Sequence, residues 1–172
     1  MKKGYILLMA TMLFTALQCG AQTFDIDRTT VQDFDLKRYM GRWYEIARYD
    51  HSFERNMQYC EAFYSERGDG MISVTNSGIN ANTGKRKTSY GKAKAGERPG
   101  QLRVSFFWIF YSDYNILALD EDYEWALVGS KSPKYLWILA RTRHIDSATK
   151  REIIDIAQRR GYDTQKLIWV KQ

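Results

Sequence analysis

From Gly41 to about Thr142 the chain alternates short runs rich in Tyr, Phe, Val, Ile and Trp with clusters of Gly, Asp, Asn and Pro. Runs of this length and composition, punctuated in this way, predict strands. Eight are expected, over residues 42–50, 58–66, 70–77, 86–94, 101–108, 113–119, 123–129 and 135–142. Three connectors, Arg67-Gly68-Asp69-Gly70, Asn80-Ala81-Asn82-Thr83-Gly84 and Asp120-Glu121-Asp122, carry the residues of tight turns, and short turns join antiparallel neighbours. An eight-stranded meander exposes two edges unless it closes on itself. Closure at eight strands leaves an interior just wide enough for side chains or one small ligand. An all-β, eight-stranded antiparallel up-and-down barrel is therefore expected.

After the strands, Asp146 or Ser147 can cap a helix whose apolar stripe is Ile153, Ile154 and Ala157, and Arg159, Arg160 and Gly161 suit its end. One C-terminal α-helix on the barrel's outer wall follows, then a short final strand over 166–170. In such a meander, strand one begins at the end where strand eight finishes. Gly41, Trp43 and Arg141 should meet there beside the 120–122 turn, with the guanidinium resting on the indole face. That end is plugged. Any cavity opens at the other end, among the connectors near 51–57, 78–85, 108–112 and 130–134.

The chain has 172 residues, enough for one domain of ordinary size. Lys2 and Lys3, an apolar run from Tyr5 to Leu17, and Cys19-Gly20-Ala21 before Gln22 read as a secretory signal over residues 1–21. The remaining domain is 22–172. The apolar run is shorter than the roughly 20 residues of a spanning helix. Cys19 offers lipidation as the alternative to cleavage near Ala21, though Ala16 and Gln18 stand where a lipoprotein signal has Leu and a small residue. Without Cys19 only Cys60 remains, so no internal disulfide forms. Losing Lys2 and Lys3 lowers the formal charge from +6 to +4. Lys85, Arg86, Lys87, Lys92 and Lys94 alternate with neutral residues as on a solvated sheet face. No nucleic acid partner is expected, and an anionic membrane surface stays open.

Three motifs occur in order: Gly41-x-Trp43, then Leu119-Asp120-x-x-Tyr123, then the terminal Arg141. Together they resemble the lipocalins. Phe34 to Tyr39, Trp43 to Arg48, Val104 to Phe107 and Trp137 to Thr142 are similar to the bacterial branch of that family, Blc, and to its apolipoprotein D relatives. The similarity covers residues 33–172. It implies a cup that binds hydrophobic small molecules, with fatty acids or lysophospholipids expected, and an exported protein in the periplasm or at the outer membrane. It implies no cofactor and no catalysis. Gly41, Trp43, Asp120, Tyr123 and Arg141 become the residues of barrel closure.

Alternation then assigns the wall. Trp43 facing inward carries Glu45 and Ala47 with it, and Arg141 carries Trp137 and Leu139. On strand two the resemblance favours Cys60, Ala62 and Tyr64 over Tyr59, Glu61 and Phe63. Ile72, Val74 and Asn76 follow on strand three, and Leu102, Val104 and Phe106 on strand five. Tyr114, Ile116, Trp125 and Leu127 complete it, with Tyr64, Asn76 and Tyr114 as polar selectors. Phe107-Trp108-Ile109-Phe110-Tyr111 forms an apolar portal suited to membrane or lipid contact; a dimer contact or a protein-interaction surface is the alternative use of that loop, and monomer or dimer stays open. Cys60 raises a rival reading as the nucleophile of a lipocalin-fold enzyme, which would need a basic neighbour. His51 and His144 lie beside strand ends as surface or loop histidines, with no metal-ligand pattern.

Overall fold

The computed structural model describes residues 25–172; the leader and Cys19 lie outside the described residues. The strands are β1 (Gly41–Tyr49), β2 (Met57–Glu66), β3 (Ile72–Asn80), β4 (Arg86–Ala95), β5 (Gln101–Phe107), β6 (Phe110–Leu119), β7 (Trp125–Gly129) and β8 (Leu136–Ala140). Each pairs antiparallel with the next, and β1 pairs with both β8 and β2, so the sheet closes into a barrel. The helix α2 (Ser147–Arg159) and the short strand β9 (Leu167–Trp169) complete the expected order. A four-residue helix before the barrel, α1 (Leu36–Tyr39), adds to it.

The α2 helix is capped by Asp146, whose carboxylate accepts from the Ala148 and Thr149 amides. Ile153 and Ala157 bury against the outer faces of β1, β6, β7 and β8, where Ile46, Leu117, Leu127, Leu136 and Ile138 wait. A second apolar cluster fills the barrel's lower half, including Tyr39, Trp43, Ile72, Leu102, Ile116, Val128 and Leu139. Because β7 has one face on each cluster, all five of its residues are buried. Polarity along β7 therefore carries no information about which face is inside.

At the closed end the motif residues come together. Gly41 has φ +95, a conformation that favours glycine, and a Cβ there would make ordinary contact with Arg141 Nη1 at 3.5 Å. The Arg141 guanidinium lies 3.8 Å from the Trp43 ring centroid. It donates to the carbonyls of Arg38, Arg42 and Tyr123 at 2.6, 2.8 and 3.2 Å. The α1 helix is the stopper. Trp43 Nε1 donates to the Tyr39 carbonyl at 2.8 Å, the Asp35 amide donates to the Tyr123 hydroxyl at 2.7 Å, and Arg38 lies over the Tyr123 ring. Tyr123 itself has φ +64, within a turn whose amides of Asp122 and Glu124 both donate to the Asp120 carboxylate.

Candidate functional site: a cup open at one end

A cavity of about 480 Å³ occupies the upper barrel, within the range of small-molecule sites. Its wall includes Ala62, Tyr64, Val74, Asn76, Val104, Phe106, Tyr114, Trp137 and Leu139 from the expected set, with Glu45 and Cys60. Phe53, Glu54 and Met57 of the β1–β2 connector and Phe107 and Phe110 of the β5–β6 turn form the mouth. The opening is thus opposite the Arg141 plug. Ile72, Ile116 and Leu102 face inward but lie in the packed lower core rather than on the cavity.

Three inward assignments are corrected. Ala47 faces α2 because β1 holds an extra residue: Glu45 is opposite Leu139 and Ala47 is opposite Ile138. One partner step against two is a β-bulge, so Ile46 and Ala47 both turn outward and Arg48, opposite Trp137, turns in. Trp125 and Leu127 also face outward, and Ala126 and Val128 occupy the interior. Here the ladder decides: Ala126 is opposite Leu139 and Val128 opposite Trp137.

The bulge creates a polar group that strict alternation could not place. Arg48, 3% exposed, donates from Nη1 to Glu45 Oε1 at 2.6 Å and from Nη2 to the Glu54 and Met57 carbonyls. Burial first, and then the Glu54 carboxylate, push the Glu45 carboxyl up to about 8, against the pull of Arg48. Trp137 Nε1 donates to Glu54 Oε2 at 3.2 Å, and His51 Nε2 lies 3.0 Å from the same oxygen. His51 lies in the loop after β1, as expected of a loop histidine, but it is buried, 7% exposed, and stacks on Phe53 at 3.9 Å. His144 is exposed. No cluster of metal-binding side chains occurs among the described residues.

At the floor, the Tyr39, Tyr64 and Tyr114 hydroxyls form a chain of 2.7 and 3.1 Å bonds. Burial raises all three phenols, Tyr64 to about 12, so they stay neutral and mutually satisfied. Asn76 differs. Its Oδ1 is buried on the cavity wall without a protein partner, which leaves one acceptor for a ligand or a water. Cys60 lines the cavity, but burial, followed by Glu45 and Glu54, pushes its thiol far up. A thiolate is what nucleophilic chemistry requires.

A family model described as a lipocalin-like domain matches residues 34–172. The chain is 46% identical over 165 residues to the outer membrane lipoprotein Blc of Escherichia coli, covering 95% of this chain and 93% of that protein. It is 34% identical over 146 residues to apolipoprotein D of Macaca fascicularis, covering 79% and 76%. Among solved structures, insecticyanin of the tobacco hornworm Manduca sexta superposes with a TM-score of 0.71 over 85% of both chains at 21% identity, a likeness of fold.

Proposed function

The chain belongs to the lipocalin family, and from that premise we propose that it binds fatty acids or lysophospholipids in the cell envelope and stores or carries them. The observation that carries this is the cavity of about 480 Å³, sealed at one end and framed at the other by Phe53, Met57, Phe107 and Phe110. An acyl chain entering this space gains about 0.8 kcal/mol per buried methylene before the costs of association. The polar end belongs near the mouth, where Lys87 stands on the wall, because the tyrosine hydroxyls at the floor already satisfy one another. The names of its bacterial relatives support an outer-membrane location. Whether Cys19 is lipidated or removed with residues 1–21 decides how the protein is held there.

Phe107, Trp108, Ile109 and Phe110 are 72, 77, 64 and 67% exposed. We assign this tip to contact with a membrane surface, where apolar side chains lose their contact with water. The enzymatic alternative is disfavoured by the raised thiol of Cys60, where burial, Glu45 and Glu54 outweigh the pull of the Arg48 guanidinium beside it. Native mass spectrometry of the purified protein, followed by denaturation, tests the reading: one lipid-sized adduct per chain is expected, released as a fatty acid or lysophospholipid. A chain that carries no adduct and takes none up from a lipid extract would refute it. Alkylating Cys60 should do no more than compete with ligand.

A further inference from the structure

The barrel wall is incomplete on one side. Strands β4 and β5 share four rungs, from Lys92 opposite Ser105 to Ala95 opposite Leu102. Towards the mouth, β4 continues from Gly91 to Arg86, held by β3 throughout, but β5 ends at Phe107 and turns into β6. Six β4 residues, roughly 20 Å of strand at about 3.4 Å each, therefore have no partner on that side. One ring fills the base of the notch. A Cβ at position 91 would come within 2.8 Å of the Phe106 ring, so the ring lies against bare glycine backbone.

Phe106 and Phe107 line the central cavity and also a separate surface pocket of about 270 Å³, whose other walls include Tyr90, Lys92, Ser105 and Trp108. No acidic side chain lines that outer pocket. Arg67 reaches it but is held by Asp69 at 2.8 Å, which leaves Lys92, with Lys94 beside the same Tyr111 ring, as its unpaired positive charge.

We propose that the β4–β5 seam is a lateral entrance to the cavity, gated by Phe106, for the acyl chain of a single-chain anionic amphiphile whose headgroup rests on Lys92 during entry. This rests on the reading that the cavity accepts an apolar chain. The gate is a rotamer change of one partly exposed ring over a glycine, a fast motion. A chain can then pass sideways from a bilayer met by the Phe107–Phe110 tip, without its headgroup crossing the mouth.

The test is stopped-flow uptake of anionic dansylaminoundecanoate and of uncharged N-phenylnaphthylamine by the purified protein. Phe106→Ala should raise association and dissociation of the anionic probe together, by about fivefold or more, because a gate changes rates in both directions. The double variant Lys92→Glu, Lys94→Glu, on the outer surface, should slow anionic uptake by about threefold or more at low salt and leave the neutral probe unchanged. Lys87→Glu, at the mouth, should slow it less. The lateral entrance is overturned if Phe106→Ala leaves both rates within about twofold, or if Lys87→Glu slows uptake more than the double variant. Should Phe106→Ala not fold, Phe106→Leu and the two charge variants decide alone. A wild-type protein that binds neither probe overturns the lipid-binding reading itself, a different result from binding with unchanged rates.

Discussion

Arg141 offers the sharpest separation of stability from binding. Its guanidinium joins three chain segments at once, through the carbonyls of Arg38 in α1, Arg42 in β1 and Tyr123 in the β6–β7 turn, and it covers the Trp43 indole. Its donors are partly solvated, so each charge-assisted bond is discounted to the value of an ordinary one, about 1 kcal/mol. The stacked cation adds about 0.5–1 kcal/mol. Arg141→Ala should therefore cost about 3–4 kcal/mol, a large share of the 5–15 kcal/mol typical of a domain. Arg141→Lys keeps the charge but not the planar fork, and should recover less than half of that. Urea denaturation measures the loss. Fluorescent-probe titration below the transition should show an affinity within about threefold of wild type, since the cavity lies on the far side of the Tyr39–Tyr64–Tyr114 floor. A loss under about 1 kcal/mol, or an affinity that falls further than stability does, would refute the assignment of the two ends.

Gly41→Ala forces φ +95 on a residue with a side chain, and should cost about 1–2 kcal/mol by urea denaturation; a neutral effect would mean the glycine is not required. Glu45 has a folded pKa raised from 4.5 to about 8, so the folded state binds its proton more tightly than the unfolded chain does. Its contribution is complete below about pH 4.5 and is lost as pH rises through about 8. Glu45→Gln should accordingly gain on wild type between pH 5 and pH 9, by about 1–3 kcal/mol; a pH-independent gap would show that Arg48 keeps Glu45 ionised. Trp108→Ser with Ile109→Ser should reduce co-sedimentation with anionic vesicles by about tenfold or more, with Tm unchanged; retained sedimentation would remove the tip from the membrane contact.

How legible the cup was in the sequence varied strand by strand, for physical reasons. On β3, Val74 and Asn76 lie where alternation puts them, because the outer face there is polar and marks the phase, whereas on β5 the register shifts between Val104 and Phe107 and consecutive residues Phe106 and Phe107 both reach the cavity. On β7 that contrast vanishes: α2 buries the outer face, Trp125 and Leu127 are as apolar as Ala126 and Val128, and only the ladder to β8 fixes which pair is inside. The Glu45–Ala47 bulge is harder still. It inverts the phase within one strand, and nothing in Glu45-Ile46-Ala47-Arg48 marks the extra residue except two opposite charges that can pair only if both face the same way.

That pairing has a consequence for what the cavity can hold. A fully apolar cup would bind any chain of the right volume, yet this one keeps a buried Arg48–Glu45 pair, the Glu54 carboxylate and the unpartnered Asn76 oxygen on its wall. Pulling Glu45 away would leave the buried Arg48 Nη1 without its acceptor, a cost of about 1–3 kcal/mol. The pair must therefore survive ligand entry intact, and Arg48 is not free to capture a ligand carboxylate. Its Nη1 and Nη2 are already committed to Glu45 and to two carbonyls of the β1–β2 connector, and Nε alone stands without a partner. Arg48 instead fixes the connector that carries Phe53, Glu54 and Met57 to the mouth. Arg48→Met should then loosen the mouth, seen as faster amide exchange over residues 51–57. It should alter affinities for charged and uncharged probes alike, whereas a selective loss of the anionic probe would mean that Arg48 binds the headgroup directly.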